Sequence, residues 1–432
     1  MSNISGINKV RRLLVWVFLS GIFCPSAAPA QKLVKDYTGS HSVAISAIEP
    51  DSTNYVDIDP IGKSVGDTRV VMLGEQDHGD APTFLAKTRL IKYLHEKKGF
   101  NILAFESDFF GLNYGWDQLK KQKPRIDTFL RGNVFGIWTA CDACNYLFYK
   151  YIPESYQTAV PLKITGFDSQ QYLDYSFYNL KDRLDSVLRH VNILITKQIN
   201  YVSEILPLID SSKKWNFIPP KNIARINSCL RYLQIIQTQL SGVSNPNSFW
   251  LLVVDNLIQQ VEGVKNKFNT GKYDSNGRDI QMAKNLKWLI ENKFKGEKII
   301  VWAANEHIAM SLKNLTGSDY RNRETMGENL SKILPKEESV YTLGFTSYQG
   351  IAGRNGVKQY KVYIPRKNSF EVWLNDLGYR FAFVDFKEYN RLYPDAKDVF
   401  FMSALGHFNT DGKWNKIYDG MFYIRDMYRC KN

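Results

Sequence analysis

Six short apolar segments punctuate the chain: RVVMLG (69–74), NILAF (101–105), LKITG (162–166), KIIVWA (298–303), VYTLGF (340–345) and RFAFVD (380–385). The first four are continuous rather than alternating runs, the pattern of strands covered on both faces. Between them the polarity repeats differently. In 81–98 (APTFLAKTRLIKYLHEKK), Phe84, Leu85, Leu90, Ile91 and Leu94 fall near helical spacing. Strands alternating with helices predict an α/β fold, a mostly parallel central sheet flanked by helices. From 172 to 295 the strand signal disappears. Helical periodicity fills that stretch, with turns at DSSKKWNFIPPK and SGVSNPNS. It reads as a large helical insertion, 172–295, between the third and fourth strands, expected to form one wall of a cleft at the carboxyl edge of the sheet.

The polar residues that follow the strands then stand out. Glu75 and His78 follow the first, Glu106, Ser107 and Asp108 the second, Asp168 the third, and Asn305, Glu306 and His307 the fourth. That edge of an α/β sheet is where ligands bind. One polar residue after a strand is usually a turn or a helix cap. Four strands in succession, carrying two of the chain's six histidines, point to chemistry instead. A histidine held by a carboxylate can serve as general base towards water, since imidazole titrates near neutrality and the carboxylate fixes its tautomer. Glu75 and His78 are spaced for such a pair. Glu75, His78, Glu106 and His307 could equally ligate Zn²⁺ or Fe²⁺. No G-x-S-x-G elbow accompanies them, so a serine nucleophile has no local support.

The leader changes the picture of where the chain works. NKVRR followed by LLVWVFLSGIF and PSAAPA has the form of a secretory signal peptide, residues 1–30, cleaved near Ala30. The apolar run is short for a membrane span. Gly21-Ile22-Phe23 makes a poor lipobox for an anchor on Cys24. The mature chain, 31–432, is expected to be periplasmic or secreted, with no stable membrane insertion. The formal charge of +13 is scattered along polar faces, with no nucleic-acid motif beside it, so no nucleic-acid partner is expected. Export permits disulfides. Cys141 and Cys144 form a CxxC without a second pair or nearby histidines, and read as a local disulfide or buried thiols.

LGEQDHG, AFESD, ITGFDSQ, GRDIQMAKNLKWL (277–289), IIVWAANEH, MGENL (326–330) and YTLGFTSYQG occur in an order that resembles the erythromycin esterase family, over about residues 60–390. The resemblance implies an α/β core with a helical insertion and hydrolysis of a macrolide lactone with no required metal or other cofactor. It places the family's catalytic histidine on His78, with Glu75, Glu106 and His307 as its partners. Two positions depart: Ala304 stands where the family has a first histidine, and Lys87 where an arginine is common, with Arg89 close by. Lysine is a point charge and not a planar fork, so the substrate expected is an ester or lactone other than a macrolide. Candidate substrate contacts are Lys87, Arg89, Asp168, Asn305 and Arg278, although Arg278 and Asp279 also read as a helix start with a structural ion pair. Two alternatives remain beside this small-molecule hydrolase: a metal-dependent hydrolase using the same cluster, and a non-catalytic binder of haem or metal. Trp138 and Trp302 are expected in the core. His95, His190 and His407 lack an acidic strand-end context and are expected at the surface or in the core.

Overall fold

The structure, a computed structural model, describes residues 28–243, 248–317, 319–354 and 356–431. The expected signal peptide up to residue 27, with Cys24, lies outside them. The strands are β1 (Val43–Ala44), β2 (Val70–Leu73), β3 (Phe100–Asp108), β4 (Lys163–Asp168), β5 (Lys298–Trp302), β6 (Val340–Ala352), β7 (Tyr360–Lys361), β8 (Phe381–Asp385), β9 (Phe400–Leu405), β10 (Phe408–Gly412) and β11 (Gly420–Met427). The main sheet runs β1-β8-β11-β6-β2-β5-β3-β4, with β7 paired to β6, while β9 and β10 form a separate hairpin. From β11 to β4 all neighbours are parallel. The antiparallel pairs are β8 with β1 and with β11, and β7 on β6.

Alternating side chains of these strands feed two different cores, which is why their sequences are apolar throughout. Val71, Leu73, Leu103, Phe105, Ile300 and Trp302 point to one face. Val70, Met72, Ile102, Ala104, Ile299 and Val301 point to the other. The helix Ala81–Lys98 closes the first face through Phe84, Leu90, Ile91 and Leu94. It begins with Pro82 in its first turn and stops at Gly99, whose φ of 75° suits a left-handed cap. Between β4 and β5 the described residues form helices and no strand, including Asp174–His190, Ile223–Ser241, Ser248–Thr270 and Ser275–Trp288. Much of this stretch builds a third core of its own, joined to the sheet by Phe109 and Phe110 at the end of β3. Among the described residues no helix is long and apolar enough to cross a membrane.

Three expectations need correcting. Glu106, Ser107, Asp108 and Asp168 are the last residues of their strands and do not follow them. The C-terminal segment, read without strands beyond 385, contributes β11 to the middle of the sheet. The CxxC is not a local disulfide. Cys141 bonds Cys430, 289 residues away, and Cys144 stays a free buried thiol. This link ties the segment that carries Trp138 to the short tail beyond the last strand.

Candidate active site

Sheet order explains why distant residues meet. Glu75 and His307 follow β2 and β5, and Glu106 and Asp168 end β3 and β4, four consecutive neighbours. Strands sit about 4.8 Å apart, so their carboxyl ends fit within one cleft. Three consecutive residues after β5 join the two sides of it. Lys87 Nζ reaches the Ala303 carbonyl (3.4 Å), the Ala304 N–H donates to Glu106 Oε2 (3.1 Å), and the Asn305 N–H donates to the Glu75 carbonyl (2.8 Å). Gly74 makes the closeness possible, since a Cβ there would lie 1.9 Å from Asn305 Oδ1.

On the first side, Glu75 is fully buried and every contact of its carboxylate is defined. Oε1 meets His78 Nδ1 at 2.7 Å and accepts the Trp138 indole N–H at 2.9 Å, while Oε2 accepts from Lys87 Nζ at 2.6 Å. Lys87 is itself fully buried and lies over the Trp302 ring, 3.9 Å from its centroid. Burial lowers its pKa, and Glu75 opposes that shift. The His78 ring, its side chain 14% exposed, stands edge-on to Trp138. Its Nε2 has no hydrogen-bond partner among the described residues.

The loop carrying His78 is braced from the C-terminal part of the chain. The Asp77 carboxylate accepts from the His78 N–H (2.8 Å), Arg354 Nε (2.9 Å) and the Tyr360 hydroxyl (2.8 Å). Asp80 accepts the Asp77 N–H (3.0 Å) and meets His407 Nε2 at 3.0 Å, and His407 Nδ1 meets Ser347 Oγ at 3.0 Å. Asp80, His407 and Ser347 are all fully buried. Burial disfavours a charged His407, yet Asp80 outweighs it and raises the histidine's pKa.

The second side is a charge network. Arg278 grips Asp168 through Nε (3.0 Å) and a terminal nitrogen (2.6 Å), and the same terminal nitrogen meets Glu106 Oε1 at 2.9 Å. His307 lies between two carboxylates: Nδ1 bonds Asp279 Oδ1, and Nε2 is 3.3 Å from Glu106 Oε1. Asp279 also faces Arg323. Burial opposes a charge on His307, but Asp279 and Glu106 prevail and carry its pKa from 6.5 up to about 10. Burial likewise opposes the charge on Glu106. His307, Arg278 and, at longer range, His78 outweigh it and hold that carboxyl well below its ordinary value. Arg278 and Asp279 come from the N-terminal part of the helix Ser275–Trp288, whose N-cap Asp274 accepts from the Gly277 N–H.

Glu75, His78, Glu106, His307, Asp168, Arg278 and Lys87 therefore gather at one edge. Several expected roles change. Lys87 is sealed beneath Glu75 and does not line the cleft. Arg89 is turned away, bidentate to Asp57 and bonded to the Ala47 and Asn54 carbonyls, so it anchors the lead-in segment. Asn305 is buried and fully used, donating to the Phe345 and Ala404 carbonyls and accepting the Phe345 N–H. Arg278 does make a structural ion pair, but with Asp168 and Glu106 rather than its neighbour Asp279. Trp138, expected only as core, also donates to Glu75. His407, expected at the surface or in the core, is buried and holds Asp80. The one signal pointing to that pair was the second acid of the DHGD run, since nothing local ties residue 80 to residue 407.

The sequence profile of the erythromycin esterase family matches residues 95–427. That span begins after Glu75 and His78, which are tied to it through Trp138 and the backbone after β5. The chain is 25% identical over 416 residues to erythromycin esterase type II of Escherichia coli, covering 86% of this chain and 92% of the relative. It is 24% identical over 400 residues to YbfO of Bacillus subtilis (strain 168), covering 87% and 88%. Among solved structures, a Bacillus cereus protein superposes with a TM-score of 0.71 at 16% identity over 93% of this chain and 98% of that one. The open conformation of a mutant of the erythromycin esterase EreC gives 0.67 at 16% identity over 90% and 98%. With its profile match spanning most of the chain and its α/β sheet shared with these structures, the protein belongs to the erythromycin esterase family of hydrolases.

Proposed function

We propose that the protein cleaves a carboxylic ester or lactone by attack of a water molecule activated by His78. One observation carries this reading: the Glu75 carboxylate holds His78 Nδ1 at 2.7 Å while Nε2, on a partly exposed ring, has no hydrogen-bond partner among the described residues. A carboxylate on Nδ1 selects the tautomer with an N–H there and a lone pair on Nε2. That lone pair can take a proton from water as the water adds to the carbonyl carbon, and can return it to the leaving alkoxide. A tetrahedral oxyanion would need positive charge beside it, and the Arg278–His307 side supplies fixed cations at the same edge. Glu106 and Asp168 keep those cations oriented.

A metal-dependent reading finds less support in the donor set. The carboxylates of Glu75, Glu106 and Asp168 are already paired with Lys87, Arg278 and His307, so a dication would have to displace an ammonium and a guanidinium. The best test is a panel of ester and lactone substrates assayed with wild type and His78→Ala side by side. Hydrolysis that survives in His78→Ala would refute the mechanism. We also propose that the protein acts outside the cytoplasm. The leader supports this, and so does a disulfide joining residues 141 and 430, a bond that suits an oxidising compartment.

A further inference from the structure

A cavity of about 640 Å³ opens beside the charge network, in the helical stretch between β4 and β5. Tyr172, Trp215, Phe217, Phe268 and Tyr273 line it. Three of these rings are left in solvent, with Phe217 66%, Phe268 46% and Tyr273 40% exposed. A contiguous exposed aromatic surface around a cavity is a recognised mark of a ligand site. Its position gives it a connection to the chemistry. Ring centroids run from His78 to Trp138 (5.5 Å), Trp138 to Phe135 (6.1 Å), Phe135 to Tyr172 (5.9 Å) and Tyr172 to Phe217 (5.0 Å). Packed aromatic side chains, with Trp138 fully buried among them, thus connect the imidazole to the wall of the cavity.

The charge at the cavity has one sign. Lys221 and Lys267 belong to its lining and no carboxylate does. Both lysines are exposed, and neither has an ion-pair partner among the described residues. The acids nearby are already engaged. Asp168, behind Tyr172 and Tyr273, is held bidentately by Arg278, and Asp274 caps its own helix. We propose that this cavity binds an apolar, anion-bearing part of the substrate: a ring or chain carrying a carboxylate, sulfate or phosphate on the ester that His78 attacks. Aromatic faces take the apolar body and the two ammonium groups take the anion. The inference rests on the ester-hydrolase reading above and adds the charge of the substrate to it.

The test uses binding first, so that it does not depend on turnover. Calorimetry with naphthalene-2-sulfonate, neutral 2-naphthol and the cation 2-naphthylmethylammonium compares three charges on one apolar body. The sulfonate should bind on the order of 10-fold more tightly than naphthol, and the cation most weakly. Lys221→Glu with Lys267→Glu, both at exposed positions, should reverse that order, while Phe217→Ala with Phe268→Ala should weaken all three. Equal binding of the three probes, or the cation binding tightest to wild type, would overturn the assignment. A matched pair of substrates, 2-naphthyl acetate and its 6-sulfonate, then reads the same preference in KM, and the lysine double variant should abolish it. Sulfonate binding without hydrolysis of either ester would remove the catalytic reading and leave the cavity assignment standing.

Discussion

Two histidines in this protein make the same bond in opposite surroundings. His78 and His307 each present Nδ1 to a carboxylate, Glu75 in one case and Asp279 in the other. Glu75 is shared with a buried lysine, so the pair it forms with Lys87 carries no net charge, and the partly exposed imidazole has no hydrogen-bond partner on Nε2 among the described residues. His307 has a second carboxylate on its other nitrogen and is buried. That second acid helps hold the ring cationic, with a pKa of about 10. A carboxylate on Nδ1 therefore does not make a base. What the other nitrogen faces, and which cation already occupies the carboxylate, decides between a proton acceptor and a fixed positive charge.

The comparison breaks most sharply at His78. His78→Ala should lower kcat/KM by about 10²–10⁴ on any ester the wild type cleaves, the range for losing a general base. Circular dichroism should stay unchanged, because the ring is partly exposed. Lys87→Met should be nearly as severe by a different route. It leaves Glu75 as a buried charge balanced by nothing but His78, so it should cost about 3–5 kcal/mol in a denaturant titration. In whatever enzyme still folds, kcat/KM should fall as well, because the Glu75 carboxylate that orients His78 is no longer held by Lys87 Nζ. Unchanged kinetics would show that Lys87 does not set the difference.

His407→Gln tests whether the loop that carries His78 is held from afar. Removing the partner of Asp80 should reduce kcat by up to about 10², the scale of a misplaced catalytic group, with KM little changed. A shift in KM alone would count against a positioning role. A further prediction concerns pH and stability. The folded-state pKa of His307 is raised from 6.5 to about 10, so its contribution is full below pH 6.5 and lost as pH climbs through about 10. Unfolding free energy should therefore fall across that window by at most about 1.4 kcal/mol per pH unit. Asp279→Asn should flatten the slope.

The sequence by itself determined much of this arrangement. Continuous apolar runs specify strands buried on both faces, because a parallel sheet between two layers has no solvent side to mark. Acids and imidazoles immediately beyond such runs can only lie at the carboxyl edge, which is why Glu75, His78, Glu106 and His307 were legible. Tertiary structure decided the rest. Strand order put β2, β5, β3 and β4 side by side, and so chose Arg278 as the partner of Glu106 and Asp168. It sealed Lys87 beneath Glu75, sent Arg89 to Asp57, and spent Asn305 on backbone carbonyls, although all three looked equally available in the chain. It brought β11 into the centre of the sheet, and with it Cys430 to Cys141. The turn ahead of the β9–β10 hairpin's second strand likewise carried His407 to Asp80. Local pattern reports which face or edge a residue occupies. Its charge partner is chosen by strand order and loop closure, over separations that no local pattern encodes.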